Sequence, residues 1–266
     1  MSLYRKFARE VALSGLAAPT DPADAIQEAQ LAPLPEPAQR YLRFMGVVGR
    51  QQDWSFRVGW SGRFRIKPGQ RWMRCEAWQY NLRPSLARIF HIRIRAGGVL
   101  PILARDTYVG GRGRMLVRLM DRFTIADGTG EEYDIGELVT YLNDAVSIAP
   151  TMLLDPRVTW SPADGDSFDV SLSDHGRTVT ARVLVDKNGA LRDFITTDRF
   201  CSNPQQPGKL MRARWRVPVT GWQTIDGRTL PAGGQAVWEL PSGPFPYADF
   251  LPIPGSLIFN LPPDKL

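Results

Sequence analysis

Asp106 and Tyr108 stand two residues apart within residues 105–109, a segment that reads as a β-strand, so alternation sets both side chains on one face of a sheet. A carboxylate beside a phenol is a general acid–base pair if a substrate reaches it, and a structural pair if an arginine does. Imidazoles are scarce. His91 falls in an apolar strand beside Arg93 and Arg95, while His175 follows Asp174 in a turn-like Ser-Asp-His-Gly segment where exposure to solvent is expected. With 2 histidines in the chain a histidine-rich metal site is ruled out, and a nucleophilic triad would have to recruit one of them.

The glycine-rich run Tyr108-Val109-Gly110-Gly111-Arg112-Gly113-Arg114 could cradle an anion through backbone N–H groups and guanidinium. A tight hairpin turn accounts for it more simply, because glycine reaches positive φ without strain. Glu131, Glu132, Asp134 and Glu137 could share a proton or hold a hard cation, but they also suit the start of a helix, where negative charge complements the dipole. No GxSxG elbow, phosphate loop, GxGxxG fingerprint or HExxH helix is present. Cys75 and Cys201 lie far apart without a CxxC or CxxH pattern, so both are expected to be free thiols, and no metal or cofactor is implied.

These residues must be positioned by a two-faced sheet. Trp54, Phe56, Val58, Trp60, Phe64 and Ile66 fall on even positions and Ser55, Arg57, Gly59, Ser61, Arg63 and Arg65 on odd ones, which is the signature of a long strand. Residues 70–80 alternate again with Trp72, Trp78 and Tyr80 on one side, and residues 88–95, 105–109 and 114–120 continue the series between glycine and proline breaks. Five or six adjacent strands in a meander are expected. Trp54, Phe56, Trp60, Trp72, Trp78 and Tyr80 are then expected to form one apolar wall, to which Trp215 and Trp238 add. With Asp106 and Tyr108, these are the candidate ligand-binding residues.

Helices are expected over residues 21–30, with Asp21 as cap and Pro22 in the first turn, and over 36–45. A third is expected over 134–147, where Ile135, Leu138, Val139, Leu142 and Val146 recur at helical spacing. Further strands follow from residue 157 to 240, with Asn188-Gly189 as a hairpin turn, before a proline-rich tail carrying Phe245, Tyr247, Phe250 and Phe259 that is expected to lie over the sheet. About ten strands with three helices give a mainly β, α+β fold, since parallel strands would each need a crossover. We expect a strongly curved antiparallel sheet, a half-barrel or incomplete barrel, with helices covering its concave face. Residues 1–33 form an N-terminal helical segment and 34–266 a single curved β domain with the helix inserted near 134–147.

The 266 residues carry a net charge of +6 and 43% hydrophobic residues with 8 Trp, ample for a sizeable core. The charge is uneven. Residues 40–122 hold 18 Lys or Arg against 4 Asp or Glu, a local +14 that leaves −8 for the remainder. Such a segment is either the arginine-lined solvent face of a sheet or an attractor for phosphates, nucleic acid or an anionic membrane. Glu10 and the short apolar run after it make residues 1–22 a poor secretion signal, and no stretch reaches the ~18 apolar residues that span a bilayer. A soluble cytoplasmic protein is expected, with membrane association no more than peripheral.

Three blocks, LPEPAQRYLRFMGVVGR (34–50), RDTYVGGRGRMLVRLM (105–120) and AVWELPSGPFPY (236–247), resemble the signatures of an uncharacterised bacterial family, a domain of unknown function. The resemblance covers residues from about 34 to 260 and brings no activity with it. In outline, the curved strands interrupted by helices are similar to the half-barrels of lipoprotein carriers and mycobacterial lipid-transfer lipoproteins, which implies an apolar cavity for a lipid. The function expected is noncatalytic binding or transport of a lipid or other amphipathic molecule, its tail on the aromatic residues and its anionic head on rim arginines. An enzyme acting on a hydrophobic small molecule through Asp106 with Tyr108, or a histidine, is the alternative. Nucleic-acid binding ranks third, because aromatics and arginines alternate onto opposite faces. Oligomeric state is not legible.

Overall fold

In a computed structural model that describes residues 1–20, 24–203, 205–206 and 208–266, the alternating segments become strands and the amphipathic ones helices. In chain order these are α1 (Leu3–Leu13), α2 (Glu36–Phe44), β1 (Ser55–Phe64), β2 (Met73–Leu82), β3 (Ala87–Ala96), β4 (Leu100–Val109), β5 (Arg112–Leu119), β6 (Phe123–Thr129) and α3 (Glu131–Ile148). Then come β7 (Val158–Pro162), β8 (Ser167–Asp174), β9 (Arg177–Val185), β10 (Leu191–Thr196), β11 (Phe200–Ser202), β12 (Leu210–Arg212), β13 (Arg214–Arg216), β14 (Trp222–Ile225), β15 (Arg228–Pro231), β16 (Gly234–Leu240), β17 (Gly243–Pro252) and β18 (Ile258–Phe259). The protein is mainly β, its large sheet is antiparallel, and among the described residues the main sheet is not closed on itself: β6 and β7 are edges. Two compact units divide the chain: Met1–Thr20, Asp53–Glu137 and Pro246–Leu266 form unit one, and Asp21–Gln52 with Leu138–Phe245 form unit two.

Unit one is the expected meander, in the order β6-β5-β4-β3-β2-β1, extended past β1 by β17. Its helix α1 carries Leu3, Phe7 and Val11 four residues apart, so all three fall on one face and are buried. Ser2 caps the helix by accepting from Arg5 N at 3.2 Å. Phe7 and Val11 pack on Tyr80, Leu82, Ala87 and Ile89, and burying each contributes ~1.5–3 kcal/mol. The glycine-rich run is the β4–β5 hairpin turn, with Gly110 and Gly111 at positive φ. Gly113 serves a different purpose: a Cβ there would stand 2.1 Å from the carbonyl oxygen of Tyr133 in the first turn of α3.

In unit two, α2 buries Ala38, Tyr41 and Leu42, and the Tyr41 hydroxyl donates to the Val146 carbonyl at 2.5 Å. Strands β7 to β10 form a second meander, with Asn188-Gly189 turning β9 into β10 and the Asp186 carboxylate accepting from Asn188 N and Ala190 N. Leu138, Val139, Leu142 and Val146 of α3 are buried as their spacing predicts.

Two expectations are corrected. Residues 24–30 hold only a short 3-10 turn at Glu28–Gln30, because Ala25 bridges Gln51 and Ile26 N donates to Arg50 O, which commits that backbone to an extended pairing; the Asp21 cap and Pro22 lie outside the described residues. The part of the proline-rich tail from Phe245 to Phe259 does not lie over the sheet. It joins it edgewise: Ala248 to Pro252 pair with β1, and Ile258 and Phe259 pair with Arg57 and Phe56.

Candidate functional site

Register decides which side chains meet. Each even-numbered residue of β1 stands opposite an odd-numbered residue of β2: Phe56 faces Asn81, Val58 faces Gln79, Trp60 faces Ala77 and Phe64 faces Met73. Directly opposed residues share a sheet face, so Trp72, Trp78 and Tyr80 lie on the face away from Phe56 and Trp60. The expected single wall of six aromatics is therefore two half-walls. Tyr80 is the buried floor beneath α1, with Trp54 and Trp78 packed around it, and Trp78 stands 4.5 Å from the Tyr4 ring. The guanidinium groups of Arg63 and Arg65 both stand over the Trp72 ring, at 4.9 and 4.4 Å. Trp215 and Trp238 are opposed on β13 and β16 and buried in unit two, with Arg199 over the Trp215 ring.

The other face of unit one carries the longer apolar rows. Cross-strand pairing lines up Trp60, Ala77, Ile92, Ala104 and Val117 in one row, and Cys75, Ile94, Ile102 and Leu119 in the next. Ala77, Ile92 and Ile94 are buried, while Trp60, Phe64, Ile102, Ala104 and Phe250 around them are half-buried. The Trp60 ring is held in place by its Nε1–H, which donates to Gln79 Oε1 at 3.0 Å, and Gln79 Nε2 in turn donates to Asn81. Burial raises the Cys75 thiol to about 12, with Asp249 adding to the effect. Little thiolate therefore exists near neutral pH. Cys75 is expected to resist iodoacetamide at pH 8 in the folded protein and to react once urea exposes it, which peptide mass mapping will show.

At the far end of this face the polar residues gather. Asp106 and Tyr108 share the face, as alternation requires, opposite Phe90 and Arg88. Tyr108 is fully buried, and the buried Arg88 donates to Glu137 Oε2 of α3 at 3.0 Å. Asp134 accepts from Gly113 N at 2.7 Å. Of the acidic group at the helix start, Asp134 and Glu137 thus fix α3 to β3 and β5, and among the described residues no three His, Cys, Asp or Glu form a metal-binding group.

His91 Nε2 lies 2.7 Å from Glu10 of α1, beneath that helix and edge-on to Phe7, and His175 is exposed beside Asp174. On the α1 side a groove of about 570 Å³ is lined by Lys6, Arg9, Arg105, Arg112 and Arg114, with Glu10 as its one carboxylate and Ile89 and Val109 among its apolar lining. Arg114 holds the Asp127 carboxyl below the usual carboxylate range through a two-pronged contact. None of the sequence-predicted ligand residues lines this groove. Lys6, Arg9 and Glu10 join this groove only because the amphipathic spacing of Leu3, Phe7 and Val11 docks the helix that carries them.

The sequence matches a family of unknown function, DUF6544, over residues 24–250. No curated protein matches it. Among solved structures, a LolA superfamily protein from Nitrosomonas europaea is similar at 14% identity and a TM-score of 0.42, over 80% of this chain and 90% of that one. A DUF1329 family protein from Desulfovibrio piger is similar at 10% identity and a TM-score of 0.45, over 85% and 92%.

Proposed function

The chain belongs to the family DUF6544, and from its own geometry we propose that it binds the hydrophobic part of a lipid or other amphipathic molecule without altering it covalently. One observation carries the reading. The sheet face around Ala77 and Ile92 is apolar over five consecutive strands, and a half-buried rim of Trp60, Phe64, Ile102 and Phe250 surrounds its buried centre. Such a surface gains free energy by ~25 cal/mol for each Å² of apolar contact it acquires. Trp60 is already oriented by Gln79, so its ordering cost is met before a ligand arrives. Asp106 and Tyr108 belong to the polar end of the face, where Arg88 and Glu137 are buried, and the reading asks no proton transfer of them.

Oleate titration followed by tryptophan fluorescence and native mass spectrometry is the test. One oleate is expected to bind, and Ile102→Asp to weaken binding at least about tenfold, or about 1.4 kcal/mol. Leu251→Asp, an exposed position opposite Ser61 and so on the other face, is expected to leave it unchanged. Equal binding by parent and Ile102→Asp, or none by either, would reject the proposal.

A further inference from the structure

The strongest unexplained feature of the molecule is one end of the unit-one sheet. Apolar side chains there point into water: Val99 is 78% exposed, Leu100 49%, Met120 55%, Phe123 57% and Ile125 59%. They come from two neighbouring turns, one between β3 and β4 and one between β5 and β6. Ala96 is opposite Leu100, Met120 N donates to Pro101 O at 2.8 Å, and Leu119 is opposite both Ile102 and Phe123. The turns thus end side by side.

The second turn is conformationally expensive. Arg122 N donates to Leu119 O, and the central residues Met120 and Asp121 have φ of 54° and 60°. A two-residue turn with both φ positive ordinarily carries Asn-Gly, because a Cβ disfavours that region. Here the costly position presents a methionine to solvent, and the cost returns nothing in core packing.

Around these tips the charge has one dominant sign. Arg95, Arg118 and Arg122 are exposed with no carboxylate paired to them among the described residues, and Arg122 covers the Phe123 ring at 5.6 Å. The acidic residue in the turns, Asp121, is engaged by Lys6. Clustered apolar tips in a cationic collar are suited to the boundary of a bilayer, where the tips enter the acyl region and the guanidinium groups meet lipid phosphates. A monomeric protein otherwise avoids such a concentration of exposed apolar side chains.

We propose that the Ala96–Leu100 and Leu119–Ile125 turns dock unit one onto a membrane surface rich in anionic lipid. This goes beyond ligand binding and stands or falls separately from it, since vesicle protection of these turns and oleate binding at the Trp60 face are read on different residues. The chain is expected to co-sediment with vesicles of equimolar phosphatidylcholine and phosphatidylglycerol, to bind phosphatidylcholine vesicles at least about tenfold less well, and to be released by salt. Val99→Asp with Phe123→Asp is expected to weaken binding to the anionic vesicles at least tenfold, and Arg118→Gln with Arg122→Gln to weaken it and flatten its salt dependence. Hydrogen exchange on the unmodified chain guards against a variant that misfolds: vesicles should protect amides of residues 96–100 and 119–125. The proposal is overturned if the chain ignores anionic vesicles, if the aspartate variant binds as well as the parent, or if protection falls elsewhere. It is equally overturned if sedimentation velocity shows these same residues joining two copies of the chain in place of a bilayer.

Discussion

Glu137→Ala is expected to destabilise unit one by about 3–5 kcal/mol in urea denaturation, the range for removing one partner of a buried ion pair. The Arg88 and Glu137 side chains are 6% and 8% exposed, and a guanidinium cannot shed its charge by deprotonating. Alanine at 137 therefore withdraws the Glu137 carboxylate from a buried cation that is stacked at 4.8 Å on the Phe90 ring. Glu137→Gln keeps shape and a hydrogen-bond acceptor and is expected to cost less. The double replacement Arg88→Met with Glu137→Leu is expected to recover most of the loss, because it removes the desolvation penalty of both ions. If the single alanine variant matches the parent, the pair is not the anchor of α3 that its geometry implies.

Gly113→Ala is expected to cost about 3 kcal/mol, the upper part of the range for overpacking a close contact. The added methyl would meet Tyr133 O at 2.1 Å and Asp134 N at 2.7 Å, both backbone atoms that no rotamer change can move. Relief requires α3 to lift from β5, and that breaks the bond from Gly113 N to Asp134. Gly98→Ala provides the contrast: its φ is positive but nothing lies within 4 Å, so only about 1 kcal/mol of backbone strain is expected. A similar denaturation midpoint for Gly113→Ala and the parent would mean that α3 does not rest on this hairpin.

Strand positions, hairpin turns and the third helix were legible because each announces itself locally through period two, glycine-rich turns and helical spacing. The assembly of the aromatic residues was not. Alternation states which residues of one strand share a face, but the face they share with the next strand depends on the connection. Eight residues separate Phe64 from its partner Met73, so equal parity in β1 and β2 means opposite faces. Asp106 and Tyr108 share a face as alternation predicts, since both belong to one strand. The tail departs from expectation for another reason. Pro244, Pro246 and Pro252 suggested irregular chain, yet they crowd the two ends of β17 and leave Ala248 to Phe250 free to pair with β1. At residues 24–30 helix chemistry yielded to the bridge with Gln51, a partner 26 positions from Ala25 that no local window contains.

The bulge in β6 has a consequence for solubility. Val117 is opposite Ala126 and Arg118 is opposite Thr124, which leaves Ile125 as an extra residue on the strand that ends the sheet. An unbroken border there would offer a regular row of free amides and carbonyls to any extended peptide, including a neighbour of the same kind. The surplus residue spoils that template by twisting the border out of step. Ile125 thus interrupts the backbone spacing that a pairing strand would need, however greasy its side chain.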